Sequence, residues 1–336
     1  MTDLEFVPLT ADDDDIAGQW LDLLDETAGD RPHAAPPCRT DLLGSLRHAP
    51  PGAVLDDWVA VTGGRVAGAL RLVLPEGAPV AHADQLLVRS GARRRGIGGA
   101  LFRHALEVAG KHGRSALTAT LTDGVPDGPP PDPGPAAFAT AMGAARADVP
   151  AGLHQWLDLA RYNPLAEGVP VVPAGYSLVT WGTITPDTYA LRVSALELSL
   201  GDAPVDAAQQ EIRSSYARRF ETMRVGRGRR AHHTGVVHDA TGELAGYTSV
   251  SKTAGNPEYL LQGMTVVHRA HRGHRLGLLL KLANLRYALD RWPRVRRVET
   301  ANDETNRPMI AVNEAMGFEP YERLVSWTRE AGPGEG

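Results

Sequence analysis

Two groups of residues in this sequence are suited to chemistry. In AHADQLLV, His82 and Asp84 stand two apart, so on an extended strand they share one face. An imidazole beside a carboxylate can take up a proton near neutral pH, although the same pair also suits a solvated strand edge. A few residues on, GARRRGIGGAL (Gly91 to Leu101) places Arg93, Arg94 and Arg95 before Gly96, Gly98 and Gly99. A helix N-terminus leaves backbone N–H groups unpaired and carries partial positive charge, so it holds phosphate where glycine lets the ligand approach. By spacing alone the stretch is either such a cradle or a helix capped by a basic loop. The dinucleotide and G-K-[ST] fingerprints are absent here.

The flanking residues say what positions these groups. QLLV (Gln85 to Val88) is strand-like, and Leu101, Leu106 and Ala109 recur with helical spacing, so the order is strand, Arg/Gly loop, helix. The order then repeats: MTVV (Met264 to Val267) precedes HRGHRLGLLLKLANLRYAL (His271 to Leu289), and Arg93 with Arg272, and Gly98 with Gly277, keep one shared offset. Each copy follows a predicted hairpin, at Trp58 to Leu74 and Thr234 to Ser251. The pattern predicts a domain over residues 1–161, a Pro/Gly-rich linker over 162–175 and a second domain over 176–336. Asp123 to Pro135 reads as a proline-rich insertion in the first repeat, and ADDDD (Ala11 to Asp15) as cap and solvation of a first helix.

Composition narrows the partners. A net charge of -5 argues against nucleic acid as the main partner. The single cysteine, Cys38, allows neither an intrachain disulfide nor a cysteine zinc site. No secretion signal and no membrane-length apolar run are present, so a cytoplasmic protein with no membrane partner is expected. His232 and His233 would face opposite sides of a strand, and His268, His271 and His274 lack acidic neighbours along the chain, so no metal is expected.

Together these residues resemble the GNAT superfamily of acyl-CoA N-acyltransferases, and the doubling resembles its tandem members. The family motif [RQ]-x-x-G-x-[GA] is met throughout by Arg93-Arg94-Arg95-Gly96-Ile97-Gly98; Arg272-Gly273-His274-Arg275-Leu276-Gly277 departs from it at Arg275. The resemblance implies an α/β (α+β) fold of two tandem domains, each a mixed, mainly antiparallel twisted sheet flanked by helices. It implies that such a loop, in one half or in both, holds the pyrophosphate of acetyl-CoA, and that backbone amides at Leu86 and Val88, or at Thr265 and Val267, face the thioester. NRPMIAVNEAMGF (Asn306 to Phe318) resembles the family's last helix, with Asn306 as a cofactor contact; the position of its tyrosine acid holds Asn313, and Ala139 in the first repeat.

The implied reaction is direct attack of an amine on a thioester, which needs positioning, a proton acceptor and an oxyanion site. His82 with Asp84 is the expected base in the first half, and Glu258 or Glu299 in the second. Loop and base favour the first half. The expected function is acetyl-CoA-dependent N-acetylation of a small-molecule primary amine by a monomer folded as an internal pseudo-dimer. A peptide N-terminus as acceptor and a non-catalytic CoA-binding protein remain the alternatives. Acidic residues in DLLDETAGD are expected to attract a cationic acceptor.

Overall fold

The computed structural model describes residues 4–31, 34–126, 128, 130–200 and 206–330. The chain forms two compact units, Met1–Leu153 with Tyr321–Gly336, and His154–Pro320. The last strand therefore joins the first unit, and residues 154–161 join the second, where the sequence pattern had grouped each with its chain neighbours. Which sheet edge receives a terminal strand is set by long-range pairing, to which local periodicity is blind. No helix among the described residues is long and apolar enough to cross a membrane.

The first unit runs β1 (Leu4–Pro8), α1 (Asp14–Thr27), α2 (Arg39–Arg47), β2 (Ala53–Thr62), β3 (Arg65–Pro75), β4 (Val80–Val88), α3 (Ile97–Lys111), β5 (Ala116–Asp123), α4 (Gly134–Ala141) and the short β6 (Ala145–Arg146). The second runs β7 (Gly152–Asp158), β8 (Tyr176–Trp181), α5 (Asp187–Leu198), α6 (Ala207–Gly226), β9 (Arg229–His238), β10 (Glu243–Thr253), β11 (Tyr259–Val267), α7 (Leu276–Arg291), β12 (Arg297–Asp303) and α8 (Arg307–Ala315). The C-terminal strand β13 (Glu319–Glu330) completes the first unit.

Within the first unit the sheet order is β1-β2-β3-β4-β5-β13, antiparallel except for β4 with β5. Asp13 caps α1 by accepting from the Ile16 amide at 3.0 Å, which is the role the acidic run predicts. Apolar residues at helical spacing in α1, Trp20, Leu21, Leu23 and Leu24, pack on one face of the sheet with Val59 and Ala69. α3 packs Ile97, Leu101, Ala105 and Val108 on the other face, against Leu70, Leu72 and Leu74. The β2–β3 turn uses Gly63 and Gly64 at φ +57° and +73°, the left-handed pair that a tight hairpin demands. Of the proline-rich segment 123–135, residues 127 and 129 lie outside the described residues.

The second unit repeats the plan as β7-β12-β11-β10-β9-β8, with β11 and β12 parallel. Asp206 and Gln209 close a capping box at the start of α6. His232 and His233 serve the core. His233 stacks on Trp181 and hydrogen-bonds the Gly182 carbonyl, while His232 packs against Trp292 and Tyr287; burial pushes both imidazoles down to about 4.

In both units one glycine lets the helix press onto the sheet. A Cβ on Gly68 of β3 would lie 2.8 Å from both Leu101 Cδ1 and the Leu87 carbonyl; on Gly246 of β10 it would lie 2.7 Å from the Val266 carbonyl and 3.1 Å from Leu280 Cδ1. Gly68 pairs with Val88 and Gly246 with Val267, so both sit beside the strand end that leads into the Arg/Gly loop. Gly68→Ala is expected to lower stability by about 1–3 kcal/mol, the usual cost of overpacking. Gly18→Ala, in α1 where a Cβ meets nothing within 4 Å, is expected to raise it by roughly 0.5–1 kcal/mol. Urea denaturation of the two variants checks both signs.

Candidate active site

The site begins where paired strands separate. β4 and β5 pair in parallel only from Val80 to Ala83 against Ala116 to Ala119. On the β3 side the register slips between Arg71 opposite Gln85 and Leu72 opposite Ala83, leaving Asp84 as the extra residue of a bulge. Beyond it, β4 continues along β3 alone. The Arg89 amide donates to the Ala67 carbonyl at 2.9 Å, so alternation turns the amides of Leu87 and Gln85 toward β3 and those of Leu86 and Val88 toward the opening. The second unit is built likewise: β11 pairs β12 only from Tyr259 to Leu261, its register against β10 slips at Gly263 and Met264, and the His268 amide donates to Ala245. That leaves the Thr265 and Val267 amides on the open side.

Each fork leads into its basic loop through matching turns, Ser90–Ala92 and Arg269–His271. Arg93 Nε donates back to the Val88 carbonyl at 3.1 Å, and Arg272 Nε to Val267 at 3.3 Å. Each motif's first arginine thus closes the turn rather than reaching outward, and Arg93 is further held by Asp30 at 2.5 Å. Both loops place two residues in the left-handed region: Arg94 (φ +62°) and Gly96 (+86°) in the first, Gly273 (+86°) and Arg275 (+56°) in the second. The backbone is shared, and the glycine and arginine exchange places. Left-handed backbone costs a non-glycine residue roughly 1–2 kcal/mol, so Arg275 occupies the strained position without changing the loop's course. Gly96 caps α3 and Arg275 caps α7, with Ile97 and Leu276 buried behind them and Arg95, Gly96 and His274 exposed.

A Cβ on Gly96, Gly273 or Gly277 would meet nothing within 4 Å, whereas one on Gly98 would lie 3.4 Å from the Phe138 ring. Open space therefore lies over the free amides of the helix start, as a bound pyrophosphate requires. A fully buried partnerless atom stands near each fork as well: Gln85 Oε1 on β4, and Asn302 Nδ2 on β12 beyond the point where β11 departs. These features fit an acyl-CoA that runs along the opening.

The bulge changes which side chains accompany His82. Opposed residues share a face, so His82 opposite Val73 and Gln85 opposite Arg71 lie together on the α1 face, and the inserted Asp84 falls outside the alternation that would have paired it with His82. Asp84 is exposed, and its charge acts on Asp57, which is buried in an ion pair with Arg71 at 2.6 Å; burial, above all, raises the Asp57 carboxyl. His82 is half-buried, one residue before the last paired position of the fork, its Nδ1 3.1 Å from Thr118 Oγ1 on β5. Farther along the same face, the buried Glu322 of β13 pairs with Arg31 and accepts from Thr122 Oγ1 at 3.2 Å.

In the second unit, Glu258 precedes β11, seven residues before Thr265 and so roughly 20 Å from the open amides at about 3.3 Å per residue. It lines a separate surface pocket with Asp158, Tyr259 and Arg297. Glu299 instead lies opposite Leu261 at the fork, with His154 Nδ1 3.1 Å from its carboxylate. His154 and Gln85 escaped the sequence reading because neither motif spacing nor period-2 alternation reaches across a β7–β12 pairing or a bulge.

The acids expected to draw a cationic acceptor are otherwise engaged. Asp22 and Asp25 pair with Arg39, Glu26 with Arg89 and Asp30 with Arg93. On the final helices, Ala139 is buried, and Asn306 caps α8 by accepting from the Met309 amide at 3.3 Å. Asn313 is wholly buried, accepts from Lys281 Nζ and donates to Gln155 at 2.8 Å. Burial pushes the Lys281 ammonium down to about 7. A lysine on the apolar face of a predicted helix was the available signal for this network.

Gly96→Glu is expected to weaken acetyl-CoA binding at least about tenfold, a loss of roughly 1.4 kcal/mol, while the unit stays folded. Calorimetric titration checks it; unchanged affinity, with loss only in Gly277→Glu, would move the cofactor to the second loop.

Comparison with known proteins agrees with this geometry. The acetyltransferase (GNAT) family matches residues 20–125 and 198–318. A tandem GNAT protein from the clavulanic acid biosynthesis pathway, solved without AcCoA, is 69% identical, with TM-score 0.94 over 99% of this chain and 100% of that one. A GCN5-related N-acetyltransferase from Sphaerobacter thermophilus shares the fold at 17% identity, TM-score 0.67, over 98% and 96% of the two chains. An acetyltransferase of the GNAT family from Colwellia psychrerythraea does so at 11% identity and TM-score 0.58, over 98% and 100%. No curated protein matches the chain. With a family match in each half and a tandem relative along its whole length, this chain belongs to the acetyltransferase (GNAT) family as a tandem N-acetyltransferase.

Proposed function

We propose that this protein transfers an acetyl group from acetyl-CoA to the primary amine of a small molecule, with the chemistry at the fork of the first unit. The observation that carries this reading is that one strand, β4, carries the half-buried imidazole of His82 up to the fork and the open amides of Leu86 and Val88 beyond it, and leads straight into the loop Arg93–Gly98. The loop amides and Arg94 and Arg95 would hold the pyrophosphate, and the thioester carbonyl would lie against the strand amides. The neutral amine attacks that carbonyl, and its oxygen takes up negative charge stabilised by those amides. His82 accepts the proton from nitrogen, aligned by Thr118, and the carbon–sulfur bond then breaks. One proton passes in all from nitrogen to sulfur, with His82 as its carrier; Ala139 offers no acid on the final helix.

A small-molecule acceptor is supported by the 69% identical relative, which comes from a natural-product pathway. The net charge of -5 favours free small molecules over nucleic acid, and we read the protein as a monomer. A second reading places the chemistry at the other fork, because His154 and Glu299 form an imidazole–carboxylate pair there.

Thiol release from acetyl-CoA over a panel of small amines tests the proposal. His82→Ala is expected to lower kcat by about 10²–10⁴-fold with acetyl-CoA affinity unchanged, and Glu299→Gln to leave turnover intact. Loss confined to Glu299→Gln and His154→Ala would transfer the reaction to the second unit. Saturable acetyl-CoA binding with no thiol release from any amine would leave a CoA-binding protein.

A further inference from the structure

The second unit gathers several histidines away from its fork, where the β9–β10 hairpin meets the turn before the second basic loop. The His271 ring lies 5.1 Å from His238 and 5.9 Å from His268, and Tyr176 lies 5.9 Å from His274. The carboxylate absent from the local sequence arrives from β10: one ligand atom each from Glu243, His268 and His271 lie within 4.8 Å of one another. Chain proximity alone leaves these histidines without an acid; the β9–β10 hairpin brings one to them.

We propose that Glu243, His268 and His271 form a binding site for one divalent transition-metal ion, with zinc the best fit to the donor set. Two imidazole nitrogens and a carboxylate oxygen are ligands that zinc uses, while calcium and magnesium take oxygen alone. The orientation of His271 is already fixed. Its Nδ1 is 3.0 Å from the Tyr176 hydroxyl, which leaves Nε2 toward Glu243 Oε2 at 3.9 Å. A hydrogen bond at the far ring nitrogen is the usual device that orients a metal-binding histidine and selects its tautomer. His271 is buried, His268 half-buried and Glu243 exposed, so the site combines a fixed ligand with one that can swing inward. Tetrahedral zinc needs donor separations of about 3.3 Å; the 3.9 Å between His271 Nε2 and Glu243 Oε2 is close to that, and the accessible Glu243 and His268 side chains would rotate to close the set. His268 must give up one weak interaction, the 3.3 Å bond its Nδ1 accepts from the Ala270 amide. The ion would tie the Arg269–His271 turn to the start of β10, one residue before Arg272 of the second loop.

The test is calorimetric titration of the tag-free, chelator-treated full-length protein with zinc chloride, with cobalt(II) absorption as a geometric readout. Expected are one zinc per chain, a raised Tm on zinc addition, low-coordinate cobalt bands, and at least tenfold weaker binding in Glu243→Gln and in His268→Asn. Both substitutions fall on side chains that are not fully buried, so the variants are expected to fold, and their unchanged Tm without metal verifies it. Absence of saturable zinc binding, or equal affinity in folded variants, would overturn the site.

Discussion

The structure depends on a strand that leaves its neighbour. β4 pairs with β5 for only a few residues, a bulge at Asp84 turns it, and the remaining amides of Leu86 and Val88 face an opening instead of a partner. Unpaired backbone donors beside apolar strand are costly unless something accepts from them, so the fork is itself a request for a polar ligand. The close approach of α3 over Gly68 and the return of Arg93 to the Val88 carbonyl hold the helix start at the mouth of that opening. On the proposed function, carbonyl and phosphate recognition come from one continuous piece of backbone, in which side chains mainly set the course.

The doubling shows which parts of this device are fixed and which vary. Both units keep the fork, the bulge, the turn and the two left-handed loop positions. Side chains around that backbone diverge. The first loop has glycine where the second has Arg275, and the first fork presents His82 against Thr118 where the second presents Leu261 against Glu299 and His154. The second unit also holds the buried Lys281–Asn313–Gln155 chain, built around the residue that the resemblance matches to the family's tyrosine acid. One scaffold has therefore been furnished with two different sets of titratable groups.

Much of the frame was legible in the sequence. The strand–loop–helix order, the hairpins, the repeat and the Asp13 cap follow from short-range patterns, and the structure reproduces them. What escaped lies where contacts cross the chain. Alternation put Asp84 beside His82, but a bulge, which no periodicity announces, gives that place to Gln85. Composition made the first helix a lure for cations, whereas Arg39, Arg89 and Arg93 neutralise its carboxylates. Chain proximity left His268 and His271 without an acid, and a hairpin brings Glu243 to them. The terminal strand β13 pairs with β5, a partner two hundred residues away in sequence at Arg323 and Asp123.

Hydrogen–deuterium exchange with and without acetyl-CoA is the most direct test, because it reads the backbone amides that would receive the thioester carbonyl and the pyrophosphate. Protection of the peptides covering Leu86 to Val88 and Gly96 to Gly98, with little change over β1 and β2, is the predicted result. Unchanged exchange at the first fork under saturating acetyl-CoA, with protection confined to Thr265 to Gly277, would contradict it.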